Sequence, residues 1–279
     1  MQTLRLLAVS LRENIQIHNT VINFKERVAD LKISVGILIM NIYGATDIGN
    51  RRSTNQDAFR VGQIRENYAY TIVCDGMGGV YGGEVASNLA ADTIKDYLDK
   101  NLNENDDEII SVIKAAIKEA NSLVFNMSVE KREYSGMGTT VVMAVIKDNK
   151  MYAAHIGDSR LYLTKEEETV QVTEDHSFVQ TLVNNGEITK EQARVHPNKN
   201  IITRSLGVHS ETEPDFNVLE VKEGEIAILC TDGLSDYLTE KLLFEISKKS
   251  SGEELVNILV KYALMAGGHD NITVSAVYF

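Results

Sequence analysis

Short apolar runs bounded by polar turns dominate the chain from about residue 40 onward, and this pattern predicts β-strands. Several connections between the runs are short and polar, as in KDNK and KEGE, which predicts antiparallel hairpins. The predicted strands are YAYTIVC, GTTVVMAVI, KMYAAHIG, RLYLT, TVQVT, FNVLEV, EIAILCT and NITVSAVYF.

A helical periodicity separates the first two of these strands. One predicted helix face is formed by Val85, Leu89, Thr93 and Tyr97, and a second by Ile110, Ile113, Ile117, Ala120 and Val124. This spacing predicts two long consecutive helices. A further helix is predicted in SGEELVNILVKYALMAGG, which has acidic residues in its first turn and ends at glycines. Strands from both ends of the sequence, with helices grouped between them, predict a layered α+β fold rather than a parallel βαβ array.

The pattern of apolar and polar residues changes at Met40. Residues 1–39 combine short apolar clusters with charged residues and lack clear turn motifs, whereas an alternating, strand-like pattern begins at Met40. We expect residues 40–279 to form one domain, and residues 1–39 to be an appended arm or the product of a mis-assigned translation start. A chain of 279 residues is long enough for one sizeable core.

Charge and composition exclude several classes of protein. The formal net charge of -12 would repel a phosphate backbone, so we expect no nucleic-acid partner. No window reaches the roughly 18 apolar residues that a membrane span requires. Both cysteines, Cys74 and Cys230, lie in apolar runs, which argues against a disulfide framework and for a reducing compartment, the cytoplasm.

An aspartate at the end of an apolar run recurs through the sequence. VCDGMGG contains Asp75, HIGDSR contains Asp158, LCTDGLSD contains Asp232 and GHDNITV contains Asp270, while RRSTNQDAF adds Asp57. Each of them alone is an ordinary turn residue. Gathered at the rigid ends of several strands, they would form an oxygen-only site that favours Mg²⁺ or Mn²⁺. The histidines show no paired spacing of the kind that binds Zn²⁺.

Three motifs that bind nucleotides or phosphate do not match this sequence, either in the glycine-rich stretch after Asp75 or after the two cysteines. A dinucleotide motif G-x-G-x-x-G, counted from Gly76, would need glycine where Tyr81 stands. A P-loop would need G-K-[S/T], which does not follow these glycines. A cysteine phosphatase would need an arginine six positions after its nucleophile, where this chain has Val80 and Asp236.

A series of motifs covers most of the chain in a fixed order: RSTNQDAF, DGMGGVYGGEVAS, SGMGTTVV, HIGDSRLY, TEDHS, LCTDGLSD and DNITV. Together they resemble the successive motifs of the metal-dependent Ser/Thr protein phosphatases of type 2C, in their compact bacterial form, over residues 41 to 279. The resemblance implies a four-layer α-β-β-α sandwich, in which two antiparallel sheets are flanked by helix pairs. It also implies an enzyme that hydrolyses phosphoserine and phosphothreonine in proteins.

The same resemblance implies a metal site that uses Mn²⁺ or Mg²⁺. Asp75 would bridge two divalent cations, and the carbonyl oxygen of Gly76 would ligate one of them. Asp232 and Asp270 would complete the protein ligands of the other cation. Asp158, together with Asp232, would hold a third and weaker cation.

The resemblance further implies roles for the polar residues around the cations. A hydroxide shared by the two cations would attack phosphorus, and Arg52 would bind the phosphate. Asp57 and Gln56, supported by Asn271, would orient the bound waters.

One position departs from the family pattern. Met77 stands where animal members carry a histidine that is proposed to protonate the leaving group, and methionine cannot donate a proton. A water on a cation, or alternatively His176, would then be the acid.

The resemblance implies phosphorylated proteins as partners, among them a bacterial Ser/Thr kinase and its substrates, and we expect the chain to act as a monomer. Residues 184–200, the flap segment, are predicted to influence substrate choice, with an ordinary surface loop as the alternative. The rival function is a noncatalytic phosphatase-like binding domain, and a third possibility is another small phosphoester as substrate. Because all the metal aspartates are present, the sequence favours activity.

Overall fold

Two antiparallel β-sheets organise the residues that a computed structural model describes, which are 40–79, 81–102, 105 and 108–279. The strands are β1 (Asn41–Asp47), β2 (Asp57–Arg65), β3 (Tyr68–Met77), β4 (Gly138–Thr139), β5 (Val141–Lys147), β6 (Lys150–Ile156), β7 (Arg160–Thr164), β8 (Thr169–Gln171), β9 (Asp215–Glu220), β10 (Ile226–Cys230) and β11 (Ile272–Tyr278). The helices are α1 (Gly82–Asn101), α2 (Ile109–Glu130), α3 (Phe178–Asn184), α4 (Lys190–Arg194), α5 (Asp232–Ser235), α6 (Glu240–Ser247) and α7 (Gly252–Ala266). The predicted arm of residues 1–39 lies outside the described residues.

The strand order brings distant parts of the chain together. The first sheet has the order β1-β11-β10-β7-β8, and the second has the order β2-β3-β5-β6-β9, with β4 paired to β3. In the first sheet β1 pairs with β11 along its whole length, from Asn41 opposite Tyr278 to Asp47 opposite Ile272. The start and the end of the domain are therefore neighbours in one sheet.

One predicted hairpin is confirmed and another is wrong. The KDNK turn joins β5 to β6, in which Lys147 pairs with Lys150. The KEGE turn instead carries the chain from β9 in the second sheet to β10 in the first sheet. The N–H of Gly224 in this turn donates to the carbonyl of Phe279, directly after β11, at 2.8 Å. The turn is therefore held by the chain segment after β11, and the two strands that it joins do not pair with each other. Turn composition alone does not distinguish these two cases.

The strand β2 has no counterpart among the predicted strands. It forms an edge of the second sheet, and most of its side chains are only partly buried. An edge strand of this kind lacks the continuous apolar run or clean alternation by which strands are predicted.

Three apolar layers stabilise the sandwich, and they confirm the predicted four-layer architecture. The layer between the sheets includes Val73, Val142, Leu161, Leu163, Leu229 and Val277. The layer under α1 and α2 includes Tyr70, Ile72, Ile94, Leu98, Ile113 and Ile117. The layer under α5, α6 and α7 includes Ile228, Val274, Leu234, Leu243, Leu255 and Leu259. Because the central strands are buried on both faces, they appear in the sequence as continuous apolar runs.

Both cysteines belong to these layers. Cys74 in β3 and Cys230 in β10 are free and buried. Burial raises the pKa of the Cys230 thiol to about 12 and raises the pKa of the Cys74 thiol as well. Neither cysteine is therefore a thiolate near neutral pH. This agrees with the mismatch between the sequence and the cysteine phosphatase motif. None of the helices in the described ranges is long and apolar enough to cross a membrane.

We expect Leu229→Ala to lower the free energy of unfolding by about 2–5 kcal/mol, because it leaves a cavity between the sheets. The Leu229 side chain is fully buried in that layer. Urea denaturation followed by circular dichroism measures the loss. Leu123→Ala, at a side chain that is 43% exposed, is the control and is expected to cost less than about 1 kcal/mol. Equal losses at the two positions would contradict the interior placement of Leu229.

Candidate metal centre

Asp75 lies near the end of β3, and its backbone is fixed from both sides. Its N–H donates to Thr140 Oγ1 at 3.0 Å, and its carbonyl accepts from Thr140 N and Thr139 Oγ1, both at 2.9 Å. Thr140 Oγ1 is also 2.7 Å from Ser159 Oγ, next to Asp158. The spacing of the aspartates does not predict this role for the threonines. Their only signal in the sequence is a pair of polar residues at the start of an apolar strand.

Gly76 allows three backbone segments to meet directly behind Asp75. A Cβ at this position would lie 2.0 Å from the carbonyl oxygen of Gly83 and 2.6 Å from that of Gln56. The Gly76 N–H donates to the Gln56 carbonyl at 3.0 Å, which fixes the strand to the loop before β2. Any side chain at this position would therefore separate the Asp75 carboxylate from the β2 side of the site.

The remaining predicted aspartates also occupy strand ends. Asp158 follows β6, Asp232 opens α5 directly after β10, and Asp270 precedes β11. Asp57, at the start of β2, is paired with Asp75 across the second sheet. The charges of all four act on the carboxylate of Asp75, so the structure brings these sequence-distant residues into one cluster.

Burial and mutual repulsion together disfavour the ionised forms of Asp57, Asp75, Asp158 and Asp232. Desolvation, followed by the neighbouring carboxylates, raises the pKa of Asp57 to about 7, that of Asp158 to about 8 and that of Asp232 to about 6. The same causes raise the pKa of Asp75 well above its ordinary value. Without a compensating positive charge, the cluster would hold protons near neutral pH.

The donor atoms fit a hard divalent cation. Asp57 Oδ1 and Asp232 Oδ1 are buried and have no hydrogen-bond partner among the described residues. A buried carboxylate oxygen without a partner is costly, and a cation would satisfy it. Because the ligands are all oxygen atoms on one edge of the sandwich, the arrangement suits Mn²⁺ or Mg²⁺ rather than Zn²⁺.

Arg52 lies in the loop between β1 and β2, beside this cluster. Its Nη2 donates to Asp270 Oδ2 at 2.7 Å, and its side chain is 50% exposed. The hydrogen bond to Asp270 is the main cause that raises the pKa of Arg52. The negative charges of Asp270, Asp75 and Asp232 raise this pKa further. The guanidinium is thus a fixed positive group that faces both the aspartates and solvent.

Asn271 and Thr231 hold the loops around the cluster. Asn271 Nδ2 donates to the carbonyls of Ile48 and Thr54 at 2.9 and 3.0 Å, and its Oδ1 accepts from Gln56 N at 2.8 Å. Thr231 Oγ1 donates to Asp57 Oδ2 at 2.9 Å. Asn271 therefore supports the loop before β2, while its predicted influence on bound waters stays a prediction. Thr231 is a further residue that the motif pattern does not single out.

His176 belongs to a separate cluster with His155 and Asp215, whose potential ligand atoms lie within 4.8 Å of one another. The two imidazole rings are stacked, with centroids 4.5 Å apart and an interplanar angle of 18°, so their in-plane lone pairs do not converge on one ion. Gly157 N–H donates to His176 Nδ1, and His176 Nε2 is 3.1 Å from Asp215 Oδ2. Both nitrogens of His176 are therefore engaged, one with a backbone N–H and the other with Asp215, which is not one of the clustered aspartates.

A comparison with protein families agrees with this geometry. A family model described as protein phosphatase 2C matches residues 48–266, most of the described chain. The chain belongs to the protein phosphatase 2C family.

Three of the relatives that this chain matches show the extent of the similarity. Serine/threonine phosphatase Stp of Listeria monocytogenes is 37% identical over 234 residues, which cover 83% of this chain and 93% of that protein. The crystal structure of the Mycobacterium tuberculosis phosphatase PstP/Ppp is 34% identical, with a TM-score of 0.80 and coverage of 87% of this chain and 99% of that chain. A PstP catalytic domain in complex with two manganese ions is 34% identical, with a TM-score of 0.76 and coverage of 86% and 97%.

In this member of the protein phosphatase 2C family, the flap segment borders the metal centre. Arg194 Nη2 donates to the carbonyls of Ser235 and Leu238 at 3.3 and 2.7 Å, and Lys199 forms an ion pair with Asp236. These contacts hold the segment against α5, the helix that begins at Asp232. A cavity of about 510 Å³ lies between the segment and this edge of the sandwich.

We expect Mn²⁺ to raise the melting temperature by an amount that grows between about pH 5 and pH 8. In the metal-free protein the aspartates bind protons more tightly when folded than when unfolded, with pKa values of about 6 to 8. The folded state therefore loses stability as pH rises through these values. A bound cation replaces the protons and prevents that loss.

Differential scanning fluorimetry of EDTA-treated protein, with and without MnCl₂, measures this difference at each pH. Asp75→Asn is expected to reduce the difference and its pH dependence. A stabilisation that is the same at every pH, or an Asp75→Asn variant that responds as the parent does, would contradict the assignment.

Proposed function

We propose that this chain hydrolyses phosphoserine and phosphothreonine in proteins at the edge of the sandwich where Asp75, Asp158, Asp232 and Asp270 meet. As a member of its family it is a metal-dependent protein-serine/threonine phosphatase. The observation that carries the site assignment is a cluster of carboxylates, most of them buried, gathered from separate strand ends. Two of its oxygen atoms, Asp57 Oδ1 and Asp232 Oδ1, lack a hydrogen-bond partner among the described residues. A noncatalytic binding domain would not need this cluster, in which the repulsion between carboxylates destabilises the folded protein.

The aspartates divide into proposed ligand groups. Asp75 and the Gly76 carbonyl would bind at the centre, and Asp232 and Asp270 would complete the core site. Two divalent cations held in this way would lower the pKa of water and neutralise charge on the phosphoryl group. Asp158 lies close enough to Asp232 to repel it, which supports the proposal that the two share a third and weaker cation site.

Arg52 is the proposed phosphate-binding residue. Its planar guanidinium can donate to two phosphoryl oxygens, and the half-exposed position allows substrate to reach it. The ion pair with Asp270 holds the side chain beside the cation ligands before substrate arrives. Asp57 is the proposed orienting residue, because Thr231 holds one of its carboxylate oxygens while the other, Oδ1, is buried without a hydrogen-bond partner among the described residues.

The proton for the leaving alkoxide is proposed to come from water. Met77 pairs with Gly138 through the backbone, and its thioether has no proton to donate. His176 is held by Gly157 and Asp215, and desolvation lowers its pKa, so less of it carries the proton that a general acid must donate near neutral pH. Solvent at the exposed edge of the site is the donor that remains.

Phosphoproteins are the expected substrates. A Ser/Thr kinase that phosphorylates the same proteins is the proposed opponent, and the enzyme is proposed to act as a monomer in the cytoplasm. The two buried, unpaired cysteines support a reducing compartment. Sedimentation velocity would test the monomeric state.

We expect Asp232→Ala to reduce the Mn²⁺-dependent release of phosphate from a phosphothreonine peptide by about 10³-fold or more, because it removes a metal ligand. Arg52→Ala is expected to reduce kcat/KM by about 10²-fold, through the loss of a charge-assisted bidentate contact to the phosphate. A malachite green assay on the purified variants measures both losses.

Matched controls keep these comparisons specific. Asp96→Ala removes an exposed aspartate of α1, and Arg51→Ala removes the exposed arginine beside Arg52. Both control variants should keep nearly the activity of the parent. An inactive parent protein at saturating Mn²⁺, or an unaffected Asp232→Ala, would refute the proposed metal centre.

We expect Val195→Asp, in the flap segment, to raise KM for a phosphoprotein several-fold while the hydrolysis of p-nitrophenyl phosphate changes less than about twofold. Val195 is 82% exposed and directly follows helix α4, which borders the cavity, so it is accessible to the polypeptide of a phosphoprotein. p-Nitrophenyl phosphate has no polypeptide that could bind there. Val129→Asp, at a residue of α2 that is 68% exposed, is the control. Equal effects on both substrates would favour the interpretation of the segment as an ordinary surface loop.

A further inference from the structure

The loop that carries Arg52 is attached to the turn that carries Asp270 by hydrogen bonds on both sides of Arg52. On one side, Asn271 Nδ2 donates to the carbonyl of Thr54. On the other side, Asn50 N–H donates to the Gly268 carbonyl at 2.7 Å. The Asn50 side chain adds two more hydrogen bonds, because its Nδ2 donates to the carbonyls of Leu264 and Gly267 at 2.9 and 3.0 Å.

The two carbonyls that the Asn50 side chain binds lie at the C-terminal end of α7: Leu264 is in its last turn, and Gly267 directly follows its last residue. The last carbonyls of a helix have no partner within the helix, so they are available to an outside donor. A side-chain amide carries two N–H groups and can satisfy two of these carbonyls at once. Asn50 therefore links the β1–β2 loop to the C-terminal end of α7 as well as to the turn beyond it.

The two segments are in direct backbone contact at the same place. Gly49 has a φ of +78°, and a Cβ at this position would lie 2.1 Å from the carbonyl oxygen of Asp270. The Gly49 N–H also donates to Asp47 Oδ1 at 2.8 Å, which fixes the entrance to the loop. With no side chain at residue 49, the hydrogen bonds of Asn50 set how closely the loop approaches the turn.

We propose that Asn50 is a positioning residue for Arg52. It lies two residues before Arg52, its partner Gly268 lies two residues before Asp270, and Arg52 and Asp270 are themselves hydrogen bonded. Asn50 fixes the distance between the two backbones from which these side chains extend, and so sets the orientation of the guanidinium toward bound phosphate. This inference rests on the proposed phosphate-binding role of Arg52.

The first test is Asn50→Ala, which removes both side-chain hydrogen bonds and keeps the backbone contact. We expect KM for a phosphothreonine peptide and the inhibition constant of inorganic phosphate to rise together by about three- to tenfold, because each N–H···O bond contributes modestly. Asn50→Asp has the same shape but cannot donate, so it should be at least as impaired.

Asn101→Ala is the matched control. Asn101 is also exposed, and its Nδ2 donates to the helical carbonyl of Tyr97 at 2.8 Å near the end of α1, away from the metal centre. It should leave KM and phosphate inhibition unchanged. A lower melting temperature for Asn50→Ala with no change in either constant would mean that the residue only stabilises the fold, and would overturn the proposal.

A double-mutant cycle with Arg52→Ala decides whether Asn50 acts through Arg52. We expect Asn50→Ala to have no further effect on KM or phosphate inhibition in the Arg52→Ala background. A loss of the same size in both backgrounds would overturn the positioning role and leave the role of Arg52 intact. An Arg52→Ala variant with unchanged kinetics would instead overturn the phosphate-binding role on which the inference rests.

Discussion

The mutual repulsion of carboxylates at one edge of the sandwich is the constraint around which the rest of the structure is arranged. Asp75, Asp158, Asp232 and Asp270 come from four separate strand ends, and burial adds to the cost of the charge on the first three. Such a cluster is stable only with protons or cations among its oxygens. The two sheets supply the rigidity that keeps the side chains together despite this repulsion, since each strand is fixed by neighbours and by two apolar layers.

Close backbone contacts are the second requirement of this edge. Gly76, Gly233 and Gly49 each lie where a Cβ would collide with the backbone of another loop. A site assembled from strand ends and short loops needs such contacts, because side chains between the loops would move the carboxylates apart. The hydroxyl and amide groups of Thr140 and Asn271 then fix the segments at these short distances.

Arg52 and the flap segment divide the surroundings of the site into two sides. On one side, Arg52 is anchored to Asp270 and remains open to solvent, which suits a small anionic group. On the other side, Arg194 binds the carbonyls of Ser235 and Leu238 and holds the flap segment across the cavity. The proposed phosphate-binding residue and the segment proposed to influence substrate choice thus lie in different parts of the chain.

The sequence by itself determined the fold class, the long helices, most of the strands and the identity of the clustered aspartates. These features leave local signals: periodicity in the helices, apolar runs in buried strands, and a carboxylate with small neighbours where a strand ends. The edge strand β2 and the crossing of the KEGE turn between sheets have weaker signals, because exposure and turn composition do not specify a partner strand.

Only the tertiary structure decided which residues meet. Thr140, Thr231 and Asn50 act through contacts with segments distant in sequence, and no spacing along the chain encodes those contacts. The same holds for His176, whose ring nitrogens are engaged by Gly157 and Asp215 rather than by the aspartates of the cluster. Local patterns report what each segment prefers, whereas hydrogen bonds and charge interactions between segments exist only once the two sheets have packed.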